Sequence, residues 1–248
     1  MKVLGIDTST MLGAVGIVED ENLIAELRTN IALTHSERLM LHVDTLLKSA
    51  HLTLKDIDAF SVTVGPGSFT GLRIGIAAAK AMAFATGRPV AGVMTLDVLA
   101  DNLPYSKYQV CPVLDARKKM VYAAIYRDTD TRRRVVMPPS VLMPDELADI
   151  VEEPTIFLGE GAYVYRELFE GRLCCQAVFA PKSAGYPSGA AVAFRGLKEI
   201  AAGRASDPMS LVPFYIRKSE AEEKRQERTP PAPNPSPGSG EGVQGKRQ

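Results

Sequence analysis

Two spacings of apolar residues alternate along this chain. Short runs rich in Val, Ile and Leu, at 2–6, 13–18 and 60–64, have the length and make-up of buried strands. Leu39, Val43, Leu46 and Leu47 recur three and four apart, the period of an amphipathic helix. In order, the first half predicts strands at 2–6, 13–18 and 23–28, with Asp20-Glu21-Asn22 as a hairpin turn. A helix at 34–50 follows, with Thr34 and Glu37 at capping-box spacing. Then come the strand 60–64, a long Ala-rich helix at 69–86, a strand at 90–94 and a short helix at 96–103. Gly87 and Pro89 end the Ala-rich helix as glycine and proline do at C-termini.

The order βββαβαβα then repeats. Strands are predicted at 109–114, 120–126 and 132–137, a helix at 144–151 opened by Pro144, and a strand at 155–158. Gly159-Glu160-Gly161 leads into a helix at 163–169, a strand at 174–179 and a helix at 188–202, with a short closing strand at 211–217. The reading is a duplicated α/β protein, each half a mixed sheet with an antiparallel meander and parallel crossovers. Domains are expected at 1–103 and 104–217, with the 188–202 helix a candidate to pack back onto the first. The stretch 218–248 turns from highly charged to Pro-, Gly- and Ser-rich, and is expected to be disordered.

The junction VTVGPGSFTGLRIG at 62–75 is the most distinctive string. Gly65, Pro66 and Gly67 make a tight strand-to-helix turn, and Ser68 suits an N-cap. Such a turn can receive an anion. Its spacing fits neither nucleotide motif, however. Thr70 stands where both the P-loop and the dinucleotide fingerprint need a glycine, and no Lys follows. Beyond the turn, Gly71, Gly75, Ala79 and Ala83 recur every fourth residue as a stripe with almost no side chain. Glycine inside a helix costs about 1 kcal/mol against alanine, so the stripe implies a close neighbour. That neighbour is either the chain's own sheet or another of its own helices, or else a helix of another subunit.

Composition narrows the class. The 248 residues carry 29 basic and 29 acidic side chains, so no global basic field draws the protein to nucleic acid or an anionic membrane. Cys111, Cys174 and Cys175 form neither a disulfide framework nor a C-x-x-C zinc pattern. No apolar run approaches the roughly 18 residues of a membrane helix, and the N-terminus lacks the form of a signal peptide. A cytoplasmic setting without membrane contact is expected.

Several strings together resemble one family: GIDTST at 5–10, HSERL at 35–39, GPGSFTGLRIG at 65–75, LDAR at 114–117, VYAAIY at 121–126 and VPFYIRKSEAE at 212–222. They are similar to the bacterial TsaB family, also called YeaZ. The resemblance implies the actin/Hsp70/sugar-kinase (RNase H-like) fold. It also implies a non-catalytic subunit that binds and activates TsaD. TsaD transfers threonylcarbamoyl to the adenosine beside the anticodon of tRNAs reading codons that begin with A. Implied partners are TsaD as a heterodimer, TsaE within the ternary complex, and a second copy as a homodimer when TsaD is absent, with tRNA met only through the complex. No cofactor is implied for this subunit, since ATP and metal belong to TsaD and TsaE. The family's partner surface lies on its first two helices. Carried onto this chain, that makes His35, Arg38, Leu39, His42, Phe69, Gly71, Leu72, Gly75, Ala79 and Ala83 candidate interface residues, and shifts the stripe toward a subunit contact.

The chemistry bears on the same question. TsaD-like subunits hold a metal with two His four residues apart after the strand matching 90–94. Here that place reads Thr95-Leu96-Asp97-Val98-Leu99. All three histidines, His35, His42 and His51, lie in or just after the first helix without an i, i+4 pair. Asp7 and Thr8, with Gly159 and Gly161, mark a candidate nucleotide or phosphate turn. For Asp7 the alternative is a carboxylate that closes its own turn. The competing function class is an enzyme of the actin-like superfamily, a small ATPase, kinase or glycoprotease-like peptidase.

Overall fold

The computed structural model describes residues 1–31, 34–130 and 132–217. The stretch 218–248, expected to be disordered, lies outside the described residues.

The first lobe is a five-stranded sheet. β1 (Lys2–Asp7), β2 (Gly13–Glu19) and β3 (Asn22–Thr29) form the antiparallel meander. β4 (Ala59–Gly65) and β5 (Val90–Met94) add in parallel on the other side of β1, giving the order β3-β2-β1-β4-β5. The second lobe repeats this plan with β6 (Gln109–Asp115), β7 (Val121–Asp128), β8 (Arg133–Leu142), β9 (Thr155–Leu158) and β10 (Ala177–Phe179), in the order β10-β9-β6-β7-β8. Strand for strand, the two sheets have one topology, so the fold is the duplicated α/β fold of the actin and sugar-kinase kind.

Helices α1 (His35–Ser49) and α2 (Phe69–Thr86) cover one face of the first sheet. α1 begins at a capping box, where the Thr34 N–H and hydroxyl both donate to Glu37 Oε2, at 2.8 and 2.5 Å. α2 begins at Ser68, whose Oγ accepts from Gly71 N at 3.2 Å, and ends at Gly87 in the left-handed region. In the second lobe, α4 (Pro144–Ile150), α5 (Glu160–Val164) and α6 (Arg166–Leu173) pack around a core that includes Phe157 and Phe169, stacked 4.6 Å apart. Two predicted elements differ here. The helix at 163–169 divides into α5 and α6 at Tyr165, and the strand at 174–179 shortens to β10 behind a single 3-10 turn.

The lobes exchange helices. α7 (Gly189–Ala201), late in the chain, packs on β1, β2, β4 and β5 of the first sheet. The fit is backbone on backbone. A Cβ on Gly5 would lie 2.3 Å from the Gly189 carbonyl oxygen, and one on Gly16 would lie 2.4 Å from Ala190 N. Glu26 of β3 anchors the helix start, accepting from Ser188 Oγ at 2.7 Å and Ala190 N at 3.2 Å. In return, α3 (Thr95–Ala100) sets Leu96, Leu99 and Ala100 against Val110, Leu114 and Tyr126 of the second sheet.

The predicted closing strand at 211–217 is a strap instead. Phe214 N donates to Val64 O at 2.8 Å and ties the strap to the end of β4 without forming a ladder. Lys80 of α2 holds the strap by the carbonyls of Met209 and Leu211, both at 3.2 Å. At its far end Arg217 Nη1 reaches the Ala116 carbonyl at 3.4 Å, on the turn between β6 and β7.

Candidate functional site

The small-residue stripe of α2 faces inward, which corrects the interface expected for it. A Cβ on Gly71 would meet the Thr8 carbonyl oxygen at 2.0 Å, and one on Gly75 would meet Thr8 Oγ1 at 2.3 Å. Ala79 and Ala83 are buried in the first-lobe core. The close neighbour is therefore the chain's own turn after β1, locked by Thr8 Oγ1 donating to Gly71 O at 2.8 Å. Leu39 and Leu72 are buried as well, with Leu39 in the core beneath α1.

Arg38 and His42 also belong to the inner side of α1. Arg38 Nη2 donates to Met11 O at 2.6 Å, and Nη1 donates to Ile31 O at 3.2 Å. His35 Nε2 bonds the Thr10 carbonyl at 2.7 Å, and its Nδ1 sits 3.3 Å from Arg38 Nη2. One tautomer serves both contacts, with Nε2–H donating and Nδ1 accepting. His42 Nε2 lies 3.5 Å from Thr29 Oγ1. Burial pushes both ring pKa values down, and the Arg38 charge adds to the fall. These three side chains staple the β1–β2 turn and the end of β3 to α1.

The outward faces of the same helices carry other residues. On α1, Met40 and Leu41 are 52% and 63% exposed; on α2, Phe84 is 79% exposed, with Ala77 and Ala81 on its side of the helix. Phe69, from the predicted set, is exposed at the start of α2. It stacks on Tyr215 of the strap at 4.9 Å, and the Arg73 guanidinium lies 5.0 Å above its ring. The signal for Phe84 was in the sequence, since positions 73, 77, 81 and 84 run at helical spacing opposite the stripe.

At the end of β1, Asp7 is fully buried. Its Oδ1 accepts from Ser9 Oγ at 2.6 Å, Thr63 Oγ1 at 2.7 Å and Ser9 N at 3.3 Å, while Oδ2 has no hydrogen-bond partner. Burial pushes its pKa up to about 6, against the pull of those donors. Thr8 points its hydroxyl at α2, away from this carboxylate. Ser68 N is engaged by the Ser9 carbonyl at 2.7 Å, so the start of α2 is closed over the turn. Gly159 and Gly161 serve close packing in the second lobe, where a Cβ on Gly159 would lie 2.4 Å from Val113 O. A magnesium ion wants about six oxygen ligands. Asp7 offers one unpartnered oxygen, and among the described residues no group of three His, Cys, Asp or Glu could hold a metal.

The helix after β5 holds an acidic pair that arginines neutralise. Asp101 accepts Arg195 Nε at 2.5 Å and Nη2 at 2.9 Å, and Asp97 accepts Arg195 Nη1 at 3.2 Å. Tyr126 OH donates to Asp97 at 2.5 Å, and Arg133 Nη1 donates to Asp101 at 3.2 Å. Burial and the Asp97 charge push the Tyr126 pKa well up, and the two carboxylates hold the Arg195 charge firmly against its own desolvation. This network pins α3, α7 and the second sheet together.

Comparison with known proteins places these features in a family. A family model described as TsaD, tRNA N6-adenosine threonylcarbamoyltransferase, matches residues 29–225. The tRNA threonylcarbamoyladenosine biosynthesis protein TsaB of Bacillus subtilis is 31% identical over 227 residues, 90% of this chain and 97% of that protein. The chain belongs to the TsaB family. TsaB of Escherichia coli is 34% identical over 129 residues, 51% of this chain and 55% of its own length. The structure of YeaZ from Pseudomonas aeruginosa matches at a TM-score of 0.74 and 28% identity, covering 86% of this chain and 99% of that one. Among the described residues, no helix of this TsaB-family chain is long and apolar enough to cross a membrane.

Proposed function

We propose that this chain is the non-catalytic subunit that binds TsaD and activates its threonylcarbamoyl transfer to tRNA. The observation that carries this reading is the outer face of α1 and α2, where Met40, Leu41 and Phe84 present apolar side chains to solvent. Aromatic and methionine side chains set on rigid helices are the anchors protein interfaces favour. The same face would serve a second copy of the chain when TsaD is absent, and TsaE would join only the assembled complex. In this reading the subunit needs no cofactor of its own: Asp7 Oδ1 is taken by Ser9 and Thr63, and Asp97 and Asp101 are held by arginine. tRNA is met through the complex, in keeping with a net charge of zero. A cytoplasmic setting follows from that role.

The test is capture and activity with the organism's own TsaD and TsaE. Phe84→Asp and Leu41→Glu alter exposed side chains, so the thermal midpoint should hold while TsaD capture and threonylcarbamoylation of tRNA fall at least tenfold. Capture and activity unchanged in both variants would remove this face from the interface. The unpartnered oxygen of Asp7 is the observation on which the enzyme reading rests. Turnover of Mg-ATP or peptides by the purified chain, lost in Asp7→Ala, would favour that reading.

A further inference from the structure

The second lobe carries a pair of exposed thiols remote in sequence from α1 and α2. Cys174 and Cys175 are adjacent and both exposed. Cys111, by contrast, is fully buried in β6, where burial pushes its thiol pKa far up. The pair sits where α6 ends and the chain turns into the edge strand β10, within the 3-10 turn Cys174–Gln176. Cys174 has φ 50° and ψ −122°. Those angles belong to the first central position of a type II′ turn, a place that favours glycine and is costly for a residue with a Cβ. Backbone outliers of this kind concentrate at functional positions. The turn also removes the strict alternation by which an extended strand sends successive side chains to opposite faces. Among the described residues no third His, Cys, Asp or Glu completes a metal set with them, so a structural zinc site lacks its ligands.

We propose that Cys174 and Cys175 are a redox-active dithiol, which a low-molecular-weight disulfide of the glutathione type converts to an internal vicinal disulfide. The thiolate of one cysteine attacks the small disulfide, bonds to one of its sulfurs and releases the other half as a thiolate. The second cysteine, as thiolate, attacks the protein sulfur of that mixed disulfide, expels the remaining half and closes the ring. The protein loses two protons and two electrons, and the small disulfide takes up both and departs as two thiols. Adjacent Cα atoms stand about 3.8 Å apart. Relaxed bridges span roughly 4.4–6.8 Å, so the closed ring is strained and easily reduced. That makes the pair a reversible site and not a staple.

The full-length protein is incubated with excess oxidised glutathione, denatured and alkylated, and its intact mass is read. Wild type should be two hydrogens lighter, with one alkylated thiol, Cys111, and no bound glutathione; dithiothreitol should restore three alkylated thiols. Cys174→Ser and Cys175→Ser should each retain one glutathione, because the resolving thiol is gone. Stable glutathione adducts on wild type overturn the proposal. So does a wild type that stays fully reduced, whether or not the single variants react.

Discussion

Asp7 and Asp115 end the first strand of their lobes, and the fold treats them in opposite ways. Asp7 is buried, takes three hydrogen bonds on one oxygen and has its pKa pushed up to about 6. Asp115 is partly exposed, takes Arg117 N at 2.8 Å and pairs with the Arg117 guanidinium at 3.4 Å. The strand order around them is the same. What differs is the cover. In the first lobe the Gly65–Gly67 turn closes on Ser9 and α7 lies flat on the sheet, while the strap is bonded to the end of β4. In the second, the turn after β6 stands in solvent, with Arg117, Lys118 and Lys119 all at positive φ. A duplicated topology thus carries over the positions of residues but not their dielectric surroundings. One lobe is built for close internal packing, and the other leaves its equivalent end open.

The contrast can be broken most forcefully at the α7 seam. Gly5→Val drives a side chain into the backbone of Gly189 and Ala193, and should cost more than about 4 kcal/mol in denaturant unfolding. A loss under about 1 kcal/mol would mean that α7 is not seated on the first sheet. Asp7→Asn comes next. A carboxyl whose folded pKa is about 6, against an ordinary 3.8, binds its proton more tightly in the folded state. Its contribution is therefore fully present below about pH 4 and is lost as pH rises to about 6. Wild-type stability relative to Asp7→Asn should fall by about 3 kcal/mol across that window in urea titrations, and stay flat above it. A difference that does not vary with pH would show that Asp7 is solvated like Asp115.

Smaller effects sharpen the picture at the junction and on the open lobe. Arg195→Ala strips the main partner from Asp101 and one from Asp97, and should cost on the order of 2 kcal/mol, since Arg133 and Tyr126 remain in place. Thermal unfolding should show whether the two lobes then separate into two transitions. Gly171→Ala lies in the last turn of α6 with nothing within 4 Å of the added Cβ. It should raise stability by about 0.5 kcal/mol, the ordinary helix gain that Gly71 and Gly75 of α2, packed against Thr8, cannot show.

Much of this was legible beforehand because it is local. Strand composition, the Thr34–Glu37 cap, the Gly87 stop and the twofold βββαβαβα order all depend on residues a few positions apart. The α2 stripe was legible too, as a demand for a close neighbour. Periodicity fixes which residues share a face; it does not name what meets that face. Thr8, sixty-three residues upstream, filled the stripe, and that left Phe84 and its neighbours outside. The exchange of α3 and α7 between lobes, the strap and the burial of Asp7 were decided by contacts between segments distant in the chain. The sequence alone determined most of the elements, their order and the family they belong to, though not the break at Tyr165, the short β10 or the strap. Only the tertiary structure decided which helix face is free and which carboxylate is buried, because burial depends on everything that packs around a residue.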